Sequence, residues 1–210
     1  MPTQILVADD HQIVRQGLRA LLEREGFKVV AEAADGQAAL QLTEKLHPEV
    51  AVLDLAMPIL NGLDTAREIQ RISPKTKTIL LTMHTEHHYI LEGLRSGAKG
   101  FVMKTHAAED LVRAIREAAR GGTYLSPEVS DAVVQAYRND TDFPLDPLSA
   151  RERQVLQLIA EGKTTKEVAV VLGISVKTAE TYRTRIMSKL DLHETASLVR
   201  YAIRRGLVQP

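Results

Sequence analysis

Val50-Ala51-Val52-Leu53-Asp54-Leu55-Ala56-Met57-Pro58 is the stretch that decides how the first half of the chain reads. Val50 to Leu53 is a short, branched, unbroken apolar run, the pattern of a strand buried on both faces of a parallel sheet. Asp54 stands at its carboxyl end. Helix-length patterns lie on either side: Ala38, Leu42 and Leu46 before it, Ala66 and Ile69 after it. Farther out, equally brief runs occupy Ile5 to Ala8, Val29 to Ala33, Thr78 to Leu81 and Gly100 to Met103. Between the first two of these, Ile13, Val14, Gly17, Leu18, Leu21 and Leu22 recur at spacings of three and four, which predicts one apolar helix face carrying all six. Leu111 and Ile115 continue the pattern after the last run. Five β-then-α units predict an α/β doubly wound five-stranded parallel sheet with right-handed crossovers, binding ligands beyond the carboxyl ends of its central strands.

A helix around Glu128 to Tyr137 precedes Arg138 to Pro147, where two prolines and three aspartates in ten residues read as a linker. The last 63 residues show no strand pattern. Ser149 with Glu152, Thr164 with Glu167, and Ser175 three residues before Thr178 are helix starts, and Gly162 and Gly173 are stops for the first two. With the tight turn Leu172-Gly173-Ile174-Ser175, this is helix-turn-helix patterning in a small all-α domain. The predicted division is therefore 1–121 for the sheet domain, 122–147 for a helix and linker, and 148–210 for the helical domain.

The 210 residues have a formal net charge of zero, with 44% hydrophobic and 26% charged residues, the balance of an ordinary globular protein. The zero conceals a division, because residues 148–210 hold 11 Lys and Arg against 6 Asp and Glu. A basic module on a mildly acidic one points to nucleic acid as its polyanion. No apolar run approaches the roughly 18 residues of a spanning helix, and no export signal precedes Ile5, so the expectation is no membrane and a cytoplasmic location. The absence of cysteine removes disulfides, thiolate metal sites and cysteine nucleophiles.

The carboxyl ends of the predicted strands carry Asp9 and Asp10, Asp54, Thr82 and Lys104. Three carboxylates at one rim repel one another and invite a cation, and an all-oxygen site with few protein ligands suits Mg2+. A lysine, a hydroxyl and a metal around one carboxylate would stabilise a phosphoryl group carried on it. Asp64 and Asp35 lack strand-end positions and read as a helix-surface charge and a turn residue. His84, His87 and His88 read as solvated loop histidines ahead of a metal cluster.

Asp9-Asp10, Val52-Leu53-Asp54-Leu55 with Met57-Pro58 and Gly62, Leu81-Thr82 and Gly100-Phe101-Val102-Met103-Lys104 resemble the flavodoxin-like receiver domain of two-component response regulators. Leu148-Ser149, Arg151-Glu152, Ile159-Ala160, Gly162, Lys166-Glu167-Val168-Ala169, Leu172, Ile174-Ser175, Thr178, Ile186 and Lys189-Leu190 resemble a LuxR-type helix-turn-helix. Together the two sets resemble the NarL/FixJ family over nearly the whole chain. The resemblance implies that Asp54 receives a phosphoryl group from a sensor histidine kinase, with Asp9, Asp10, Asp54 and the Ala56 carbonyl serving Mg2+. Thr82 and Lys104 would bind phosphoryl oxygens, and the aromatic at Phe101 would turn inward as Thr82 moves. Ala56 and His84 are the positions that control water access to the phosphoryl group in this family. No catalysis is implied beyond self-phosphorylation from a donor and self-dephosphorylation at Asp54.

The helix begun by Ser175 runs through Leu190. Ala179, Tyr182, Ile186 and Leu190 face its core, and Lys177, Glu180, Thr181, Thr184, Arg185 and Ser188 form a polar outer face suited to a major groove. By resemblance, Glu180, Thr181 and Thr184 read bases, while Thr165, Lys166, Lys177, Arg183, Arg185 and Lys189 contact the backbone. Glu180 stands where the family often has Lys; it either accepts from cytosine N4 or is a solvated helix charge. Leu198, Val199 and Ala202 of the last helix are expected at a dimer seam, or else to complete the monomer core. The implied partners are double-stranded DNA at palindromic promoter sites, a sensor histidine kinase, RNA polymerase, and a second copy of the chain on phosphorylation. Two other classes fit less well. A phosphatase of the haloacid dehalogenase type needs an acidic residue two positions after the nucleophile, where this chain has Ala56, and an adaptor would leave the helix-turn-helix idle.

Overall fold

The structure is a computed structural model and describes residues 2–83, 87–138 and 147–208. His84 and most of the expected linker lie outside the described residues. The chain divides into two compact units, Met1–Phe143 and Pro144–Pro210.

In the first unit the strands are β1 (Gln4–Ala8), β2 (Lys28–Ala33), β3 (Val50–Asp54), β4 (Lys77–Thr82), β5 (Gly100–Met103) and β6 (Tyr124–Leu125). They form one parallel sheet in the order β2-β1-β3-β4-β5-β6. The helices are α1 (Gln12–Arg24), α2 (Gly36–Leu46), α3 (Gly62–Ile72), α4 (His87–Arg95), α5 (Ala107–Ala119) and α6 (Pro127–Arg138). Alternation along each strand explains the two layers. Leu6, Ala51, Leu53, Leu80, Phe101 and Met103 pack with Ala39, Ala66, Ile69 and Ile90 of α2, α3 and α4. Ile5, Val7, Val50, Val52, Ile79, Leu81 and Val102 face Leu18 and Leu22 of α1 and Leu111 and Ile115 of α5.

Three details differ from the sequence expectations. A sixth strand extends the five. Tyr124–Leu125 is too short to show a period, and the free edge of β5 recruits it: Tyr124 N–H donates to Lys99 O at 2.9 Å and Ser126 N–H to Phe101 O at 3.0 Å. Val129 and Ala132 of α6 then join the core that contains Phe101. On α1, Ile13 is 84% exposed and Gly17 is also exposed. The inward row is the buried Leu18 and Leu22 with the partly buried Val14, and a residue one position off that row points about 100° away. Asp64 is buried, not a surface charge: it accepts from Asn61 Nδ2 at 3.1 Å and pairs with Arg67 at 2.9 Å. Asp35 caps α2 by accepting from Ala38 N–H at 2.7 Å.

The second unit is α7 (Ala150–Ala160), α8 (Thr165–Leu172), α9 (Val176–Leu190) and α10 (Thr195–Arg204). Both expected capping boxes are closed in each direction, Ser149 with Glu152 and Thr164 with Glu167, and Ser175 accepts from Thr178 N–H at 3.0 Å. Gly173 ends α8 at φ +63, a left-handed conformation that glycine adopts without a Cβ penalty, and so turns the chain into α9. Val155, Leu156, Leu158, Val168, Ala179, Ile186, Leu198, Ala202 and Leu207 fill the core. Leu198 and Ala202 are fully enclosed there, which corrects their placement on a dimer seam: a side chain spent on its own core has no surface for a partner. Of the three, only Val199 keeps partial exposure.

Candidate functional site

The carboxyl rim of β1, β3 and β5 gathers the charged residues expected there. Lys104, in the short 3-10 turn Lys104–His106 that follows β5, places its Nζ 2.8 Å from Asp9 Oδ2 and 2.8 Å from Asp54 Oδ1. The other carboxylate oxygen, Asp54 Oδ2, is buried with no hydrogen-bond partner. Asp10, next to buried Asp9, is exposed. Thr82 is buried at the end of β4, and Phe101 is fully buried. Ala56 is half-buried in the loop that leaves Asp54.

That loop has to fold back sharply. Ile59 adopts φ +68, Leu60 N–H donates to Pro58 O at 2.7 Å, and Gly62 N–H returns to Leu55 O at 2.9 Å. A Cβ on Gly62 would lie 2.1 Å from Asp54 O, so only glycine lets α3 start this close to the acidic strand end. Burial lifts the Asp54 carboxyl above its ordinary range against the pull of Lys104, and Asp9 and Asp10 add to the rise. Burial pushes Lys104 toward the neutral amine, but the Asp54 and Asp9 carboxylates outweigh it and hold the ammonium above its ordinary value.

Sequence reasoning passed over His11. Its Nδ1 lies 2.8 Å from Asp10 Oδ1 and 3.4 Å from Asp9 Oδ1. Its position directly after two acidic residues at a strand end was the available signal. One donor atom from each of Asp9, Asp10, His11 and Asp54 lies within 4.8 Å of all the others.

In the second unit, Lys166, Lys177, Glu180, Thr181, Thr184 and Arg185 are exposed, and Thr165 is half-exposed at the start of α8. Thr181 and Thr184 hydroxyls donate to the carbonyls of Lys177 and Glu180 one turn earlier. Two residues expected on the DNA backbone have partners inside the chain. Arg183 donates to Thr195 Oγ1 at 2.6 Å, and Lys189 Nζ lies 2.7 Å from Glu152 Oε2 while donating to Pro147 O at 3.3 Å. Glu152 was legible as a helix cap but not as the buried half of an ion pair with an exposed lysine.

Burial alone would raise the Glu152 carboxyl, but hydrogen bonds from Lys189 and Ser149 outweigh it and hold it below its ordinary value. A depressed carboxyl stabilises the fold above its unfolded pKa of about 4.3, and the contribution is lost as pH falls through the lower folded value. Lys189→Met should therefore cost about 1–3 kcal/mol at pH 7, toward the lower end because the lysine side chain is 43% exposed. The gap in thermal midpoint between the variant and wild type, followed by far-UV circular dichroism, should close as Glu152 is protonated. A gap that is constant from pH 7 to pH 3 would remove Glu152 as the partner that matters.

Among the described residues, no helix is long and apolar enough to cross a membrane. Residues 5–116 match the response regulator receiver domain, and residues 146–202 match the luxR family of bacterial regulatory proteins. Oxygen regulatory protein NreC of Staphylococcus carnosus is 38% identical over 214 residues, covering 98% of this chain and 99% of that protein. Transcriptional regulatory protein MctR of Rhizobium johnstonii is 36% identical over 206 residues, covering 98% and 95%. Among solved structures, RcsB from Salmonella enterica serovar Typhimurium, bound to promoter rprA in the presence of phosphomimetic BeF3-, is 30% identical with a TM-score of 0.63, covering 96% of this chain and 98% of that one. A receiver fold with a gathered acidic rim, joined to a LuxR-type helix-turn-helix and matched along nearly its whole length, belongs to the response regulators, the phosphorylation-controlled DNA-binding transcription regulators.

Proposed function

We propose that Asp54 is the phosphoacceptor and that its phosphorylation controls binding of the α9 face to promoter DNA. The buried, unpartnered Asp54 Oδ2, beside a lysine that holds the opposite oxygen, carries this reading. Oδ2 attacks the phosphorus of a phosphohistidine on a sensor histidine kinase. The new P–O bond forms as the P–N bond breaks, and the departing imidazole nitrogen keeps the electron pair and takes up a proton. An acyl phosphate is left on Asp54.

The acidic rim fits a small hard cation, because Asp9, Asp10 and Asp54 supply oxygen donors and one of them is buried without a partner. Those three, with the Ala56 carbonyl, would hold Mg2+, which neutralises charge on the phosphoryl oxygens when bound. Lys104 neutralises phosphoryl charge from the β5 side, and the Thr82 hydroxyl donates to a phosphoryl oxygen from the end of β4. Phe101 lies buried on the strand beside Thr82, so movement of Thr82 toward the phosphoryl group is coupled to the packing of this ring.

On the DNA side, Glu180, Thr181 and Thr184 meet base edges, with Thr165, Lys166, Lys177 and Arg185 on the phosphates. Arg183 and Lys189 are engaged within the domain and are left out of that set. A second copy of the chain on a palindromic site completes the partners, and the DNA ligand places this work in the cytoplasm.

The test is fluorescence anisotropy of the full chain on duplexes selected from genomic fragments, with and without acetyl phosphate and Mg2+. Binding should tighten on phosphorylation. Thr181→Ala should cost about 1–3 kcal/mol on the selected site and little on random DNA, whereas Lys177→Ala should weaken both and lower the salt slope by about one unit for each phosphate no longer neutralised. Affinity that ignores the phosphodonor, with equal losses on selected and random DNA, would overturn the reading.

A further inference from the structure

Resting on the reading that Asp9, Asp10 and Asp54 hold a divalent cation, we propose that His11 is a fourth side-chain donor of that site, beside the Ala56 carbonyl, and widens the range of cations it accepts. Three carboxylates and a carbonyl are hard oxygen donors, suited to Mg2+ and Mn2+. An imidazole is a borderline donor that favours Co2+, Ni2+ and Zn2+, following the Irving–Williams order.

The backbone puts His11 in position. It occupies the residue before α1, at φ −84 and ψ 109, yet its side chain makes no capping hydrogen bond to the helix. Its N–H donates to Asp9 Oδ1 at 2.8 Å, which ties the residue to the acidic strand end. The imidazole folds back over the carboxylates instead, with Nδ1 at 2.8 Å from Asp10.

The four donor atoms lie within 4.8 Å of one another, whereas ligands about 2.1 Å from one ion stand at most about 4.2 Å apart. Small rotations close that difference, and the side chains able to make them are the exposed ones, Asp10 and His11. Asp9 and Asp54 are held by Lys104 through one oxygen each. The independent sign that a cation belongs here is Asp54 Oδ2, buried, without a partner, and on the carboxylate oxygen that Lys104 does not occupy. A site with a nitrogen donor beside its oxygens discriminates less against transition ions, so these ions compete with Mg2+ for the position next to the phosphoacceptor.

The test is displacement of Mn2+ from the full chain by Co2+, reading released Mn2+ by electron paramagnetic resonance. Only Co2+ that enters the acidic site is counted, so histidines elsewhere are silent. The ratio of Co2+ to Mn2+ affinity should fall about tenfold or more in His11→Ala and in His11→Asn, a change of the size seen when a metal site loses a ligand or its support. The second variant retains a good residue for the helix start. An unchanged ratio in both folded variants overturns the proposal and leaves the acidic site standing. Mn2+ binding at wild-type affinity in Asp10→Asn overturns the underlying reading itself.

Discussion

Asp54→Asn is expected to abolish incorporation of acid-labile phosphate from acetyl phosphate. The acyl phosphate needs a carboxylate oxygen as nucleophile, and the amide that replaces it is neutral and a far poorer one. No other carboxylate at the rim can substitute. Asp9 is held by Lys104 and by the His11 N–H, and Asp10 is exposed, with no lysine among the described residues to neutralise a phosphoryl group on it. Labelling should also fall sharply in Asp10→Ala. It should slow by about 100- to 1000-fold in Lys104→Ala, the usual consequence of removing one group that stabilises transition-state charge. Loss of fold does not explain the result in advance, because Asn relieves the burial of a charge and Lys104 keeps Asp9 as its partner. A thermal melt of Asp54→Asn at or above the wild-type midpoint, with no label, is the expected pair of observations. Wild-type labelling in that variant would show that the phosphoacceptor lies elsewhere.

The second large effect concerns the aromatic on β5. A Cβ on Gly93 would lie 1.8 Å from Phe101 Cζ and 2.5 Å from Cε2, so the tip of the ring fills the space where α4 lacks a side chain. Phe101→Ala should cost about 3–5 kcal/mol, and Gly93, the residue facing the tip of the ring, has no side chain to lean into the cavity. Gly93→Ala should cost about 1–3 kcal/mol by overpacking, less up to about 1 kcal/mol of gained helix propensity. In the double variant the new methyl enters the space the ring has left. The two losses should then fall short of additivity by about 0.5–3 kcal/mol, the range for residues that touch. Urea denaturation of the four proteins checks this, and strict additivity would mean that the ring does not rest against Gly93.

The receiver architecture and the helical domain were legible in the chain because the signals are local. Branched apolar runs ending in Asp9, Asp54 or Lys104 specify buried strands and what stands at their ends, and Ser149-Glu152 and Thr164-Glu167 specify helix starts within four residues. Asp9, Asp54 and Lys104 were expected together at one rim because parallel strands present the same end to the same side, and the salt bridges join them there. What tertiary structure decided was which neighbour each side chain meets. Tyr124–Leu125 became a strand only because β5 offered an open edge. Asp64 is buried where Asn61 and Arg67 reach it, and Lys189 became a structural cation because α7 brings Glu152 to it. Leu198 and Ala202 have the spacing that a dimer seam and a monomer core share, and only the packing of α10 into the domain core distinguishes the two. Periodicity records how the residues of one element line up with each other; the surface that covers them is supplied by residues far away in sequence, and no local pattern carries that information.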